Sequence, residues 1–510
     1  MSKQLLRVCL ATALIIASEL SSDATRVQAS PVFDLVGDTI GTGGLQARTV
    51  PGGAAAAYFN PSLLFDGPAG MTVGFSVLDQ GINIRLDGRP GTQFAVPMGI
   101  ANAGHADGSR FDNYPIATNL LQFGRMADAR QVAFVARPRQ SAGSGNDTLT
   151  SERVGLVVKA FDDHFVFGLH TVVPNGLFTR MRAFFNDERE QYFSNSLHPE
   201  LYSDRMSALS LAMAVGIKLS DQLAVGAGAT IALKTSVNAG AYVADTGNLG
   251  KIMLDIDAPV SIGVSPHFGA SYTPSSRLRL SASVHSPQKV ELASKFTFLL
   301  ANGVEQSSGV TFVLDYSPWK LSLGGAYDLV QDSDQTLSVS ASLLYARWSD
   351  YIDRHGERPT SAYPWADTIS PTFGVRYRYK ALLSFADLSY VPTPVPPQSG
   401  RENYVDNERL STSLGTEYTF EVWHTSLKVG AQVQLHQMVR RHQSKLPTPT
   451  QSDGKNIAPQ RVKDELPDDA QISGEPLATA PGLQTNNPGW PGFTSFGRIL
   501  GGTVYVSLAF

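Results

Sequence analysis

The chain has 510 residues, of which 42% are hydrophobic and only 17% are charged, and its formal net charge is -4. This near balance of charge gives no reason to expect nucleic acid or a strongly acidic partner. The single cysteine, Cys9, lies in an N-terminal apolar run. If that run is removed on export, the mature protein has no thiol for catalysis, disulfides or metal binding.

The first 29 residues have the layout of a secretory signal peptide. Lys3 and Arg7 precede an apolar run over 8–17, and a polar stretch then ends in small residues at Ala29. We predict cleavage after Ala29, with Ala24 as the second choice. No later stretch approaches the roughly 20 consecutive apolar residues that a membrane helix needs. An exported chain of this kind is periplasmic, secreted or an outer-membrane barrel.

Residues 30–68 are predicted to form a plug. Between Gly41 and Leu64 the chain reads GTGGLQARTVPGGAAAAYFNPSLL, which is rich in Gly and Ala and too poor in large apolar residues to form its own core. Glycine frees the backbone, and small side chains fit a space that other elements already enclose. Pro61 restricts its own φ and favours an extended Asn60, so the motif Asn60-Pro61-Ser62 predicts a sharp corner. On composition alone, a flexible linker is the alternative.

From residue 69 onward, alternation with a period of two predicts long β-strands. Every odd position from 208 to 219 is apolar, and 223–233 repeats the pattern after a turn. Arms of this length match the ~9 to 11 tilted residues that cross an outer membrane and exceed the ~5 to 6 of soluble strands. The same period recurs at 278–284, 337–345, 373–379, 410–420 and 427–435.

The opposite faces of these arms are polar, and aromatic residues cluster at the arm ends, as in the interfacial girdles of outer-membrane barrels. A soluble sandwich also alternates, but it has no reason to carry such girdles. We therefore predict an all-β chain that folds as a transmembrane antiparallel β-barrel of 14 to 16 strands, with the N-terminal segment as a hatch in its lumen. The predicted girdle residues are Tyr345, Trp348, Tyr351, Tyr377, Tyr379, Tyr418, Phe420 and Trp423.

Two loops stand out between the arms. The loop 176–203 carries apolar residues at helical spacing, including Phe184 and Phe185, and predicts a short amphipathic helix that either packs on the rim or presents an apolar surface to ligand. The second loop, at about 439–495, is dense in Pro, Gln, Asp, Ser and Lys. Its composition predicts an extracellular disordered segment.

Several motifs, taken in this order, resemble outer-membrane transporters of hydrophobic compounds of the FadL/TodX type. The glycine-rich turn, Ala-rich run and Asn60-Pro61 corner resemble the family's mature N-terminus, although Ser62 replaces the usual Ala and the acidic pair that often precedes the corner is missing. The similarity continues at Pro174-Asn175-Gly176, at Trp348-Ser349, at the Pro-rich segment 389–396 and at 406–409, Asp-Asn-Glu-Arg. This resemblance favours 14 strands.

The resemblance implies passive, hatch-gated uptake of long-chain fatty acids or aromatic hydrocarbons across the bacterial outer membrane. It implies a monomer without cofactor or metal, surrounded by outer-membrane lipid and lipopolysaccharide and inserted by the barrel-assembly machinery. Gating is expected at Asn60, Pro61 and Ser62. The expected ligand-binding residues are aromatic or basic: Tyr58, Phe59, Phe65, Phe184, Phe185, Arg277, Arg279, Arg376 and Arg378.

Other functions remain open at this point. One alternative is a general porin for polar solutes, which needs no hatch. Another is a surface β protein for adhesion or binding. Enzymatic activity is not predicted, because the sequence has no HExxH, GxSxG or GxGxxG motif. A stretch at Phe33–Thr39 faintly resembles the nucleophile block of GDSL-type esterases, but Thr39 stands where the serine belongs.

Overall fold

The computed structural model describes most of the chain outside its longest connections. The described ranges are 31–87, 147–161, 164–175, 209–243, 252–257, 260–299, 305–353, 364–398, 404–422, 425–444 and 492–510, with short pieces within 95–97, 134–136, 141–143, 185–186, 196–199, 201, 356, 358, 449–452 and 456–459. The predicted signal peptide, Phe184 and Trp423 lie outside these residues. Among the described helices, none is long and apolar enough to cross a membrane.

Fourteen long strands, β1 to β14, form a closed barrel. Each strand pairs antiparallel with the next along the chain, and β14 pairs with β1 to close the ring. The all-β antiparallel barrel predicted from the sequence, and its count of 14, are confirmed. The strands are β1 Gly70–Leu86, β2 Asp147–Ala160, β3 Phe165–Pro174, β4 Ser210–Lys218, β5 Leu223–Val243, β6 Val260–Ser275, β7 Leu278–His285, β8 Lys320–Gln331, β9 Gln335–Ala346, β10 Thr368–Tyr379, β11 Leu382–Val391, β12 Arg409–Val422, β13 Thr425–Ser444 and β14 Gly492–Ala509.

The alternation in the sequence becomes the two faces of the barrel wall. On β14, Val504 and Val506 are exposed on the outside, while the alternating residues Thr503 and Tyr505 are buried in the lumen. The register continues the outer band across the closing seam, where Val504 lies opposite Phe75. Closure leaves no unpaired strand edge in the ring, so an apolar outer surface can face lipid.

The lumen contains the hatch, residues 31–69. It comprises two short helices, α1 (Pro31–Val36) and α2 (Ala56–Phe59), and a 3₁₀ helix, Pro61–Asp66. Most hatch side chains are buried against the wall, including Phe33, Leu63 and Leu64. Two clusters of buried apolar side chains lie between the hatch and the inner wall, and a third, which includes Tyr351 and Trp365, contains no hatch residue.

At one end of the barrel the strands connect by short turns, and at the other they extend into longer structures. Beyond the ring, β5 pairs antiparallel with Ile252–Asp257 and parallel with Gln288–Leu299, which forms a hairpin with Glu305–Ser317. The end with short turns also holds both Gly70 and Ala509, which are paired. In bacterial barrels the short turns are periplasmic and the longer connections extracellular.

The smaller strands are Ala95–Pro97, Phe134–Ala136, Ser141–Gly143, Phe185–Asn186, Ser196–Pro199, Tyr404–Val405, Pro449–Ser452 and Asn456–Pro459, and Trp348–Asp350 is a 3₁₀ helix.

Three details differ from the sequence prediction. The loop predicted at 439–495 begins too early and ends too late, because β13 runs to Ser444 and β14 starts at Gly492, and a hairpin lies at 449–459. Phe185 lies in a strand paired with Leu197 rather than in a helix, since backbone pairing outweighs the local apolar spacing there. Tyr351 is buried against other rings and does not belong to an outer girdle.

Candidate functional site

The hatch corner predicted at Asn60 is an anchor between hatch and wall. The fully buried Asn60 side chain donates from Nδ2 to the carbonyl oxygens of Arg48 (3.2 Å) and of Ala282 on β7 (3.3 Å). Its Oδ1 accepts from the Ser62 amide (3.2 Å) and hydroxyl (2.7 Å). Asn60 thus caps the 3₁₀ helix, which Pro61 begins, as a side-chain acceptor does at a helix N-terminus. The Asn60 side chain therefore connects the hatch at Arg48, the 3₁₀ helix and wall strand β7.

On one side of the lumen, strands β2 to β6 contact the hatch mainly through apolar side chains and glycine, with a buried polar contact of 2.6 Å between Nε2 of His267 on β6 and the Ala57 carbonyl oxygen. Leu64 lies against Gly168 of β3, where an added methyl group would overlap it, and Phe65 lies in the same way against Gly216 of β4. Glycine at these wall positions allows the hatch to approach the strand backbone. Wall glycines that face hatch atoms, on this side and around the ring, are Gly74, Gly155, Gly168, Gly216, Gly226, Gly269, Gly324 and Gly374.

On the other side of the lumen the hatch is held by ion pairs and hydrogen bonds. Asp34 in α1 pairs with Arg48 of the hatch at 2.7 Å and with Lys320 of β8. Burial opposes ionisation, but Lys320 and Arg48 together hold the pKa of Asp34 below its ordinary value. Arg48 also donates from a terminal guanidinium nitrogen to Nε2 of His285 on β7, at 2.7 Å. This network ties α1 and the middle of the hatch to two strands.

Further hydrogen bonds extend that tethering to β10 and β11. Arg376 of β10 and Asp387 of β11 form a buried ion pair 2.5 Å long, and both bind the hatch loop around Gly43. Arg376 donates a hydrogen bond to the Gly43 carbonyl oxygen at 2.6 Å, and Asp387 accepts one from the Leu45 amide at 2.9 Å. Gln46 donates to the carbonyl of Thr372 at 2.7 Å. Because hydrogen bonds are directional, these contacts define a single position of the hatch relative to the wall.

Asp38 organises the glycine-rich loop from within. Its two carboxylate oxygens accept from the amides of Ile40 and Gly43, each at 3.1 Å. Burial raises the pKa of Asp38 to about 7, and nearby Glu417 adds to this while Arg153 and the two amides oppose it. The loop is therefore built around a carboxyl group that can change charge near neutral pH.

A cavity of about 170 Å³ lies between the hatch and the extracellular strand ends. Its walls combine apolar groups with hydroxyls, with the basic side chains of Arg48, Lys320 and Arg409, and with the carboxylates of Asp34 and Asp406. The apolar lining is Leu35, Leu45, Ala47, Phe59, Leu201, Tyr316, Leu344, Ala346, Trp348, Val391, Pro392 and Pro394. The hydroxyl lining is Ser317, Ser322, Ser342, Thr368, Ser370, Thr372, Ser389 and Ser411. Such a space suits a molecule with an apolar body and one polar end.

A cluster of stacked aromatic rings supports the outer edge of this cavity. Tyr351 and Trp365 stack at 3.7 Å with an interplanar angle of 11°, and Tyr404 packs edge-on against both. Tyr316 and Trp348 join this cluster and also line the cavity. The rings therefore fix part of the cavity wall.

A smaller cavity of about 120 Å³ lies on the periplasmic side of the hatch. Charged groups line it, including Asp66, Arg378, Glu417 and Lys428. Lys428 and Glu417 pair at 3.0 Å, and Asp66 pairs with Arg279 at 3.3 Å. The two ends of the lumen thus differ: the space under the hatch is more polar than the space above it.

The structure divides the ligand-binding residues expected from the sequence. Phe59 lines the larger cavity, whereas Tyr58 is fully buried between Phe33 and His285 and Phe65 packs on the wall. Arg376 is inside the lumen but is engaged with Asp387 and hatch carbonyls. Arg279 pairs with Asp66, Arg378 faces the smaller cavity, Arg277 is exposed at a short turn, and the Phe185 side chain lies outside the described residues.

Sequence reasoning missed the basic residues of the larger cavity. Arg48 was recognisable, because it is the only charged residue between Gly41 and Leu64, in a stretch that otherwise consists of small, polar and apolar residues. A lone charge in a buried plug needs a partner, which here is Asp34. No sequence signal marked Lys320, whose role depends on where β8 meets α1. Among the described residues, no group of His, Cys, Asp and Glu could hold a metal ion.

Comparison with solved structures finds barrels of similar architecture. The chain is similar to a FadL homologue of Pseudomonas aeruginosa, with a TM-score of 0.48, 15% identity and coverage of 95% of this chain and 99% of that chain. It is also similar to the toluene transporter TodX of P. putida, with a TM-score of 0.47, 12% identity and coverage of 96% and 99%. The toluene transporter TbuX of Ralstonia pickettii has a TM-score of 0.43, 12% identity and coverage of 95% and 99%. No family profile and no curated protein sequence matches the chain.

Proposed function

We propose that the protein is an outer-membrane channel for passive uptake of hydrophobic small molecules, and that movement of the hatch opens it. The observation that carries this proposal is the cavity of about 170 Å³ between the extracellular strand ends and a hatch that fills the lumen below. A ligand can enter such a space from outside, yet it meets the hatch before it meets the periplasm.

The outer surface of the barrel supports placement in a membrane. Exposed aliphatic side chains form a band on adjacent strands, as at Val429, Val506 and Val73, and tyrosines such as Tyr377 and Tyr379 lie near its periplasmic edge. An apolar band flanked by aromatic residues is the surface that an outer-membrane barrel presents to lipid. The protein's location in the bacterial outer membrane is part of this proposal.

The chemistry of the cavity favours an amphipathic or apolar ligand, such as a long-chain fatty acid or an aromatic hydrocarbon. A carboxylate end fits the basic side chains of Arg48 and Lys320, since charge-assisted hydrogen bonds are strong in a shielded site. In the structure both cations are paired with Asp34 of α1. A ligand carboxylate that reaches these cations competes with Asp34 for them, and so weakens the ion pairs that hold the hatch against the wall.

The arrangement of the lumen argues against the alternatives. A general porin needs a continuous aqueous path, but here buried hatch residues such as Leu63 and Leu64 occupy the lumen. A soluble adhesive or binding protein has no need of a barrel whose outside is aliphatic. In this proposal the barrel acts as a monomer within lipid and lipopolysaccharide, without a cofactor. In this proposal the barrel-assembly machinery inserts the protein into the membrane.

The proposal is tested by uptake of a radiolabelled long-chain fatty acid, with toluene in parallel, by cells that lack their own transporter and express this chain. Uptake of either compound above the vector control supports the function and identifies the substrate class. A properly inserted, heat-modifiable barrel that takes up neither compound but conducts sugars or ions would instead support the porin.

The role of the hatch is tested separately in the same cells. Deletion of residues 30–60 is expected to abolish selective uptake and to raise ion conductance, because the lumen loses its plug. Unchanged uptake and conductance after this deletion would remove the hatch from the mechanism. Asn60→Ala tests the proposed gating corner Asn60, Pro61 and Ser62, and a variant that assembles normally and transports at the wild-type rate would contradict it.

A further inference from the structure

A basic cluster lies on the outside of the barrel where β1, β13 and β14 meet. We name it the arginine triad and define it as Arg85, Arg440 and Arg498. All three side chains are exposed. They surround Phe496, and the guanidinium carbons of Arg85 and Arg440 lie 5.1 and 5.3 Å from the centre of its ring. One ring thus holds two of the cations close together on the surface.

The position of the triad relative to the apolar band is defined by strand register. Leu500 is the last exposed apolar residue of β14 toward the extracellular end, and Arg498 and Phe496 follow it on the same face. Arg498 lies between Gly81 of β1 and Gln437 of β13. The triad therefore sits directly above the lipid-facing band, at the level where the head groups of the outer leaflet begin.

A β-bulge turns Arg440 to this face. Along β13 the odd positions up to Val439 point outward and the even ones inward, so regular alternation would send Arg440 into the lumen. The register shifts between Met438 and Arg441, after which Arg440 is exposed and Arg441 bonds inward to the carbonyl of Val395 at 2.6 Å. Bulges of this kind redirect side chains. The strand is thus built so that the third cation joins the other two.

The triad has no carboxylate partner among the residues that the structure describes. Asp79 and Asp87 lie near the same edge of β1, but Asp79 accepts from the Thr148 hydroxyl at 3.2 Å and Asp87 is paired with His442 at 2.6 Å. By contrast, Arg347, another exposed arginine at the extracellular end, is paired with Asp350 at 3.1 Å. Three exposed guanidinium groups that no described carboxylate neutralises attract an anion.

From these observations we infer that the arginine triad binds a phosphate group of lipopolysaccharide in the outer leaflet. The lipid's acyl chains would lie along the band below Leu500, and the planar guanidinium groups would pair with the phosphate oxygens. The inference rests on the outer-membrane placement in the proposed function, but not on transport. It assigns the outer wall a specific lipid contact in addition to its general apolar surface.

The test measures binding of lipid A, the phosphorylated anchor of lipopolysaccharide, to the detergent-purified full chain by native mass spectrometry. Bis-phosphorylated lipid A, fully dephosphorylated lipid A and inorganic phosphate are compared. The triple variant Arg85→Gln, Arg440→Gln, Arg498→Gln is compared with the wild type, and Arg347→Gln is the matched control. Heat-modifiability confirms that each variant forms a barrel.

We expect the wild type and Arg347→Gln to prefer the phosphorylated lipid by on the order of 100-fold, and the triple variant to lose that preference, at roughly fivefold per arginine. Equal affinity of the triple variant and wild type for phosphorylated lipid A would overturn the inference. Retention of inorganic phosphate without preference for the lipid would also overturn it, in favour of a soluble anion. Failure of hydrophobic uptake leaves these binding results unchanged, so the two proposals can fail separately.

Discussion

The hatch contacts the two sides of the barrel in different ways. Toward β2 to β6 it packs with Leu64, Phe65 and neighbouring small residues against wall glycines. Toward β7 to β13 it is held by the Asp34 ion pairs and by hydrogen bonds such as that of Gln434 to the Val36 carbonyl, at 2.6 Å. Ion pairs and hydrogen bonds require one geometry, whereas apolar packing against glycine depends on how closely side chain and backbone approach. The polar side therefore specifies the closed position through directional bonds, and the glycine side through close contact.

The largest effect is expected when the polar side loses its central charge. Asp34→Ala leaves Arg48 and Lys320 without their shared carboxylate in the lumen, and loss of one partner from a buried ion pair costs about 3 kcal/mol. We expect faster hydrogen exchange in the hatch and higher single-channel conductance. The control Asp221→Asn removes an exposed pair with Lys218 at a short turn and should change neither measurement. Wild-type exchange in Asp34→Ala would show that the ion pairs do not seat the hatch.

Asn60 links the two sides, and its removal should have the next largest effect. Asn60→Ala deletes the donors to Arg48 and Ala282 and the cap on the 3₁₀ helix, which should weaken hatch seating by about 2 kcal/mol. Ser62→Ala removes only the hydroxyl bond to Asn60, so its loss should be smaller. Hydrogen exchange of residues 56–66 measures both. Equal effects of the two substitutions would contradict the linking role of Asn60.

The glycine side can be tested by adding a single methyl group. Gly168→Ala places that group against Leu64 and should weaken seating by about 1.5 kcal/mol through overpacking. Gly502→Ala is the matched control, because it lies on β14 with open space around it. Hatch exchange should rise in the first variant only. If both variants behave like the wild type, close approach to glycine is not what positions the hatch on this side.

The smallest effect is expected from pH, through Asp38. Its pKa in the folded protein, about 7, is above its ordinary value, so the seated hatch favours the protonated form. This contribution is complete below the ordinary pKa of an aspartate and is lost as pH rises through about 7. Between about pH 6 and about pH 8 the loss should be about 1 kcal/mol. Hatch exchange should therefore be slower at the lower pH once intrinsic exchange rates are corrected.

Asp38→Asn is the control for the pH experiment. The amide cannot titrate and gives up one of the two backbone bonds, so the variant should exchange faster than the wild type at both pH values. The difference between the two pH values should disappear. If it persists, a titratable group other than Asp38 is responsible.

Much of the fold could be predicted because it depends on local alternation. The odd-position pattern around Leu211 and Val215 identifies strands, and its length identifies a barrel, because residues of one strand face either lipid or lumen. Composition alone left the Gly- and Ala-rich segment open as a plug or a flexible linker, and the resemblance around the Asn60-Pro61 corner favoured the plug. The helix expected around Phe185 was wrong at that residue, where long-range pairing with Leu197 decided the structure.

The site was less predictable, because it depends on which residues meet across the lumen. Arg376 was expected among the ligand-binding residues, but the register of β10 and β11 pairs it with Asp387, so its guanidinium group is already occupied. Lys320 has no distinguishing context in the sequence, and its importance arises only because α1 brings Asp34 to β8. The bulge that exposes Arg440 likewise has no signal in the alternation pattern, which predicts the opposite face.

The sequence by itself determined the period of the strands, the two faces of the wall and the presence of a small-residue plug, because these depend on the identity and spacing of neighbours along the chain. Tertiary structure alone decided where the plug is held, which cations line the cavity above it and which arginines gather on the outer wall. Those features arise from contacts between residues that are hundreds of positions apart, as with Leu45 and Asp387. Ring closure and strand register create such contacts, and no local pattern encodes them.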